Sequence, residues 1–166
     1  MGTVDGAAAE RSTMNTLERG AAHTVELTQS ECLGLLARTD VGRLTVMEEG
    51  FPVAFPVNYR LVPDGTSGAV IVMRTRAGST LDRPETRAGF EIDGIDGATE
   101  TGWSVVVRGH LHPADGATAP DWVRTWNPRP WVGDRDTWLY LTPTLITGRR
   151  LTASTVTWAL ALRGYL

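Results

Sequence analysis

The stretch Ala69-Val-Ile-Val-Met-Arg-Thr-Arg-Ala-Gly-Ser-Thr80 joins a run of apolar, mainly β-branched residues to arginines, small hydroxyl residues and a glycine. The apolar run predicts a buried strand, and the polar end predicts a loop that follows it. Guanidinium and hydroxyl groups donate hydrogen bonds to phosphate, and glycine lets the backbone approach it closely. A phosphate-binding loop is therefore one interpretation, and its members would be Arg74, Thr75, Arg76, Gly78, Ser79 and Thr80. The alternative is a sheet edge protected by charged residues and followed by an ordinary turn.

Further strands are predicted on both sides of this one, because short β-branched and apolar runs alternate with turn signals. The six predicted strands cover residues 42–47, 53–61, 69–75, 88–92, 103–111 and 137–146. The turn signals between them are Glu49-Gly50, Pro63-Asp-Gly65, Asp93-Gly94 and Thr101-Gly102. Six short strands at this spacing predict a mainly β fold with a few short helices, built as a six-stranded antiparallel barrel.

Helices are expected at three places outside the strands. The segment Thr28-Gln-Ser-Glu31 fits a capping box and precedes a short amphipathic helix that ends near Arg38. Residues 79–87 and 120–126 are further helix candidates. We expect Cys32 to be a small core residue on the apolar face of the first helix rather than a nucleophile.

Length and composition limit the class of protein. With 166 residues and a formal net charge of −3, the chain has the size of one domain and lacks the basic excess that nucleic-acid binding uses. Residues 1–22 have no apolar periodicity and predict a flexible tail, which leaves 23–166 as a single domain. Within it, 151–166 fit either a strand or a helical turn. No apolar run is long enough for a membrane and no leader is visible, so we expect a cytoplasmic protein.

The chain contains no lysine, and all 16 of its positive side chains are arginine. This excludes a Schiff base with pyridoxal phosphate and a P-loop lysine. Its single cysteine excludes an intramolecular disulfide and any multi-cysteine metal site. His110 and His112 point to one face of their strand, but no third ligand is evident, and we expect no metal site.

Five motifs occur in one order along the chain and carry a family resemblance. They are Leu35-Leu-Ala-Arg-Thr-Asp-Val-Gly-Arg-Leu44, Phe51-Pro-Val-Ala-Phe-Pro-Val-Asn-Tyr59, Phe90-Glu-Ile-Asp93, Gly102-Trp-Ser-Val-Val-Val-Arg-Gly109 and Trp138-Leu-Tyr-Leu-Thr-Pro143. From about residue 24 to residue 152 the chain resembles the pyridoxamine 5′-phosphate oxidase-like family of flavin-binding split barrels.

The resemblance implies a non-covalent flavin mononucleotide (FMN) site in a homodimer. Arg74, Thr75, Ser79 and Thr80 would hold the phosphate, while Pro56, Val57, Asn58 and Tyr59 would lie beside the isoalloxazine ring, mostly through backbone groups. Many relatives carry lysine where this chain has Thr80, and Arg76 is close enough in sequence to substitute for it. Ser104 would contact the cofactor, and Trp138 with Arg149 would approach it from the partner subunit, which places the cofactor at the dimer interface.

The implied activity is that of an oxidoreductase acting on an unknown small molecule, and no side chain is assigned as catalytic. One alternative is a deazaflavin-dependent reductase on the same barrel, for which Arg83 and Arg87 would supply basic surface. Another is a non-enzymatic flavin- or heme-binding module, with His110 or His112 as the axial ligand of a heme.

Overall fold

The structure is a computed structural model that describes residues 23–65, 68–114, 128, 133 and 136–152. Its elements are β1 (His23–Glu26), α1 (Gln29–Leu36), β2 (Val41–Glu48), β3 (Phe51–Pro63), β4 (Ala69–Thr75), β5 (Thr86–Asp96), β6 (Thr101–Pro113) and β7 (Thr137–Thr152). The predicted tail 1–22, the helix candidate 120–126 and residues 153–166 lie outside the described residues. Among those described, no helix is long and apolar enough to cross a membrane.

All strands belong to one antiparallel sheet with the order β1-β7-β4-β3-β2-β5-β6, and an additional pairing between β7 and β6 closes it. Six strands therefore form a ring, which confirms the predicted barrel. The seventh strand, β1, adds to the far end of β7 opposite residues 149–152. It has only four residues, all exposed, so the sequence carries no apolar alternation there that could predict it.

The barrel interior is filled by the side chains on one face of each strand. Alternate residues of β5 and β6, such as Phe90, Ile92, Val105 and Val107, are buried there. Helix α1 packs against β6 and β7 and contributes Cys32 and Leu36 to the same core. The predicted core position of Cys32 is thus confirmed.

The capping box of α1 is also confirmed. The Glu31 backbone N–H donates to the Thr28 hydroxyl at 3.3 Å, and the Thr28 backbone N–H donates to the Glu31 carboxylate at 2.8 Å. Gly148 permits the close packing of this helix on β7, because a Cβ there would lie 2.6 Å from the sulfur of Cys32.

The predicted helix over 79–87 is wrong. The Ser79 N–H donates to the Arg76 carbonyl and the Asp82 N–H to the Ser79 carbonyl, which are successive turns, and β5 already begins at Thr86. Pro84 explains the absence of a helix, since proline disfavours the helical conformation of the residue before it and lacks a backbone donor.

The turns predicted at Asp93-Gly94 and Thr101-Gly102 are also wrong. Both segments lie inside the β5–β6 hairpin, where Gly94 pairs with Trp103. The turn is at residues 97–100, and the Asp96 carboxylate accepts the backbone N–H groups of Ala98 and Thr99 at 2.9 and 3.3 Å. The hairpin therefore contains two Asp-Gly pairs, and the turn begins at the second, Asp96-Gly97, whose carboxylate binds the backbone two and three residues ahead.

Candidate flavin site

A cavity of about 580 Å³ lies where β3, the end of β4 and the loop after β4 meet. The residues that β3 contributes to its lining are apolar, and those from the end of β4 and the loop include hydroxyl groups and one guanidinium. Its lining residues are Phe55, Pro56, Val57, Thr75, Arg76, Gly78, Ser79, Thr80, Leu81 and Gly133. The structure therefore gathers most of the predicted loop and the first part of the predicted ring-binding strand into one cavity.

The loop after β4 is organised by hydrogen bonds within itself. The hydroxyls of Thr75 and Ser79 lie 2.8 Å apart, and Thr75 is buried at the end of its strand. Gly78 has φ 69°, and its backbone N–H donates to the Asp82 carboxylate at 2.7 Å. A non-glycine residue rarely adopts this conformation, so Gly78 is required by the turn itself. The loop is therefore already shaped before any ligand binds.

The charge of the cavity depends on Arg76, which is the only charged side chain among its described lining residues. The Thr80 hydroxyl donates to the Glu48 carboxylate at 3.1 Å, so its single hydrogen is already used. Glu48 lies at the end of β2, far from the loop in sequence. No local pattern near Thr80 could have indicated that a carboxylate stands beside it.

Arg83 binds the loop to β2, a contact that the sequence did not predict. Its Nε donates to the Thr80 carbonyl at 2.6 Å, and its Nη1 donates to the Met47 carbonyl at 2.8 Å. The guanidinium thus bridges two backbone segments. This use differs from the basic surface that the deazaflavin alternative assigned to Arg83.

Tyr59 belongs to the core and does not line the cavity. Its side chain is fully buried, its ring lies 4.8 Å from that of Phe90 in a T-shaped arrangement, and its hydroxyl donates to the Leu36 carbonyl at 2.7 Å. Burial raises the pKa of Tyr59 to about 12, against a smaller lowering by the Thr39 hydroxyl. The side chain is therefore committed to the core, and the expected place beside a ring, which the resemblance implies mostly through backbone groups, concerns the backbone of Tyr59. Asn58, on the next position of β3, does not line the cavity either.

Arg74 and Trp138 form a separate contact. The register of β4 and β7 places them opposite one another, and the Arg74 guanidinium lies 5.1 Å from the centre of the Trp138 ring. The same guanidinium lies 3.2 Å from the Asp136 carboxylate. Because side chains alternate along a strand, Arg74 points away from the face that carries Thr75. The structure does not bring Arg74 or Trp138 into the cavity.

Ser104 and Arg149 also lie apart from the loop. They are paired between β6 and β7 and line a second cavity of about 350 Å³ together with Trp103 and the carboxylates of Glu91 and Asp93. Arg43 holds both carboxylates, at 3.0 and 3.1 Å. Within one chain, the predicted cofactor contacts therefore do not meet: some line one of these two cavities, while Asn58, Tyr59, Arg74 and Trp138 line neither.

His110 and His112 share one face of β6, as predicted, and both face Glu85. Their Nδ1 atoms lie 3.3 and 3.5 Å from the two carboxylate oxygens, and the His112 ring stacks on Tyr140 at 4.8 Å. In the part of the chain that the structure describes, no three histidine, cysteine or carboxylate groups are placed to hold a metal ion.

Comparison with known proteins agrees with this architecture. Residues 28–150 match the family model described as pyridoxamine 5′-phosphate oxidase. The chain belongs to this family. A relative in the family, the uncharacterized protein Rv0080 of Mycobacterium tuberculosis, is 34% identical over 149 residues, which cover 84% of this chain and 93% of the relative.

Two solved structures are similar to this chain over most of its length. The FAD binding protein of Mycobacterium smegmatis is 28% identical with a TM-score of 0.57, covering 78% of this chain and 100% of its own. A conserved protein of unknown function from Corynebacterium diphtheriae, DIP1874, is 24% identical with a TM-score of 0.65, covering 78% of this chain and 98% of its own. The second likeness concerns the fold alone.

Proposed function

We propose that this protein binds a flavin nucleotide, with FMN as the cofactor, and acts as an oxidoreductase on a small molecule. The observation that carries the proposal is the lining of the 580 Å³ cavity, to which β3 contributes the apolar residues Phe55, Pro56 and Val57 and the loop contributes the polar residues Arg76 and Ser79. An aromatic ring and a phosphate need these two environments. A flavin would supply the hydride chemistry, and the protein would supply binding and orientation.

The donors of the loop suit a phosphate group. Arg76 offers a charged fork, and the paired hydroxyls of Thr75 and Ser79 lie beside it on the cavity wall. Gly78 leaves the backbone open, since nothing lies within 4 Å of the Cβ that it lacks. The FAD binding protein of M. smegmatis, which is 28% identical to this chain, supports a flavin cofactor. It also makes FAD the main alternative to FMN as that cofactor.

We further propose that the complete site forms in a homodimer. Ser104 and Arg149 line a cavity that shares no described residue with the loop cavity. A cofactor that contacts both sets would need the second set from another subunit.

A test begins with the visible spectrum of the purified protein and continues with fluorescence titrations of FMN, FAD and a deazaflavin. We expect FMN to bind, and we expect Arg76→Gln to weaken it about 10- to 100-fold, because a hydrogen bond to a charged group is lost. The matched control is Arg150→Gln, which removes an equally exposed arginine of β7 outside this cavity. Equal FMN affinities of the two variants would reject the loop as the phosphate site, and a heme spectrum would reject the flavin.

A further inference from the structure

A third cavity, of about 420 Å³, lies on the outer face of the barrel across β2, β5, β6 and β7. It is lined by Thr45, Val46, Met47, Arg87, Ala88, Gly89, Arg108, Gly109, His110 and Thr144. Two arginines and a histidine are among these residues, and no carboxylate is. This is a local excess of positive charge on a chain whose formal net charge is −3.

Arg87 and Arg108 are neighbours that lack a counter-charge. The β5–β6 register pairs Arg87 with His110 and Gly89 with Arg108, so the two arginines are diagonal neighbours on one face, a relation in which Cα atoms typically lie about 7–8 Å apart. Neither makes an ion pair with any residue that the structure describes. Two guanidinium groups on neighbouring positions of one face repel one another, and a bound anion would relieve that repulsion.

Gly89 forms the floor of the cavity and leaves space that a side chain could fill. A Cβ at this position would meet only the Cβ of Thr45, at 3.8 Å, which is an ordinary contact. Its φ is not in the left-handed region. Neither backbone conformation nor packing therefore requires a glycine here, although glycine weakens a strand. A ligand that approaches the sheet between the two arginines would explain why this position carries a glycine.

We propose that this cavity is a second anion site, and that it binds the phosphate group of a small molecule. Two guanidinium forks and an imidazole offer more donors than one carboxylate uses, and they match a phosphate dianion. Glu85 lies 3.3 Å from Nδ1 of His110, which leaves the other ring nitrogen for the ligand. The site shares no described lining residue with the flavin cavity and stands independently of the proposed cofactor.

The experiment follows the backbone amides of Gly89 and Gly78 by NMR while inorganic phosphate or methyl phosphate is added to the flavin-free protein at constant ionic strength. We expect a saturable shift of the Gly89 amide. Arg108→Gln should weaken that response about tenfold, and in Gly89→Val the amide of residue 89 should no longer respond, because the new side chain fills the floor. Arg76→Gln, in the other cavity, should change the response of Gly78 and leave that of Gly89 intact.

The two ligands distinguish the source of the phosphate. Tighter binding of methyl phosphate would identify a phosphate ester, and tighter binding of inorganic phosphate would identify the free ion; either supports the site. A response of the residue 89 amide that does not saturate, or that is unchanged in both Arg108→Gln and Gly89→Val, would overturn the proposal. The chemical-shift dispersion of the same spectra shows whether each variant is folded. Arg87→Gln replaces any variant that fails to fold.

Discussion

At the scale of single residues, Glu48 has the clearest influence on the proposed site. It places a carboxylate beside the Thr80 hydroxyl, so a negative charge lies next to the loop proposed to bind phosphate. Like charges that are partly exposed interact by less than about 1 kcal/mol, which is enough to change affinity several-fold.

We therefore expect Glu48→Gln to tighten FMN binding about two- to fivefold, since the amide still accepts the Thr80 hydrogen bond without repelling a phosphate. Glu49→Gln is the control, because it makes the same change of net charge at the adjacent turn residue. Fluorescence titration at low and high salt measures the effect, which should shrink as salt rises. An equal gain in both variants would mean that net charge, not the position of Glu48, is responsible.

Tyr59 makes a second prediction at this scale. The unfolded tyrosine ionises near pH 10, whereas burial raises the folded pKa to about 12. Its contribution to the free energy of unfolding is thus fully present below pH 10 and is lost as pH rises toward 12. Tyr59→Phe should cost about 1–3 kcal/mol at pH 8, because the Leu36 carbonyl loses its buried partner.

The measurement is urea unfolding of both proteins between pH 8 and pH 11. The stability of the wild type should fall more steeply with pH than that of Tyr59→Phe. The Cys32 thiol, whose pKa burial also raises, is common to both proteins and cancels in the difference. Parallel curves would contradict the assigned role of the Tyr59 hydroxyl.

At the scale of elements, one side chain joins the connection between β4 and β5 to strand β2. Arg83 binds carbonyls on the loop and on β2, so the cavity wall and the sheet are held together by a guanidinium instead of a ladder hydrogen bond. A positioning residue of this kind acts on the ligand only through the loop.

Arg83→Gln should speed hydrogen exchange at Gly78 and Ser79 and weaken FMN binding about tenfold, because two hydrogen bonds of a charged donor are lost. Arg83→Lys keeps the charge and one carbonyl contact, and it should restore part of both properties. Arg150→Gln should leave exchange at these amides unchanged. If affinity falls in Arg83→Gln while loop exchange does not change, Arg83 contacts the ligand directly and is not a positioning residue.

At the scale of the whole molecule, closure of the sheet places the predicted cofactor residues on different parts of one barrel. A shared site predicts that apparent FMN affinity falls as the protein is diluted below the dissociation constant of its dimer. Sedimentation at several concentrations, followed by flavin fluorescence, measures both quantities together. A flavin-loaded monomer with unchanged affinity would reject the shared site and would leave Ser104 and Arg149 outside the cofactor site.

Local patterns of the sequence determined the six strands of the barrel, the capping box, the buried Cys32 and the loop after β4. These features depend on near neighbours: alternation along a strand, a hydroxyl three residues before a glutamate, and glycine where φ is positive. The family resemblance also followed from the order of motifs along the chain. Signals weaker than these were misread, as Asp93-Gly94 illustrates, because Asp-Gly occurs in strands as well as in turns.

Only the tertiary structure decided which of these residues meet. Arg74 and Thr75 are adjacent in the chain, yet alternation and the β4–β7 register place one against Trp138 and the other in the cavity. Glu48 of β2 contacts Thr80 of the loop, and Arg83 of the loop contacts the Met47 carbonyl of β2. No sequence pattern near these residues indicates either contact. The physical reason is that barrel closure fixes distances between residues far apart in sequence, while sequence patterns report only the conformation of each segment.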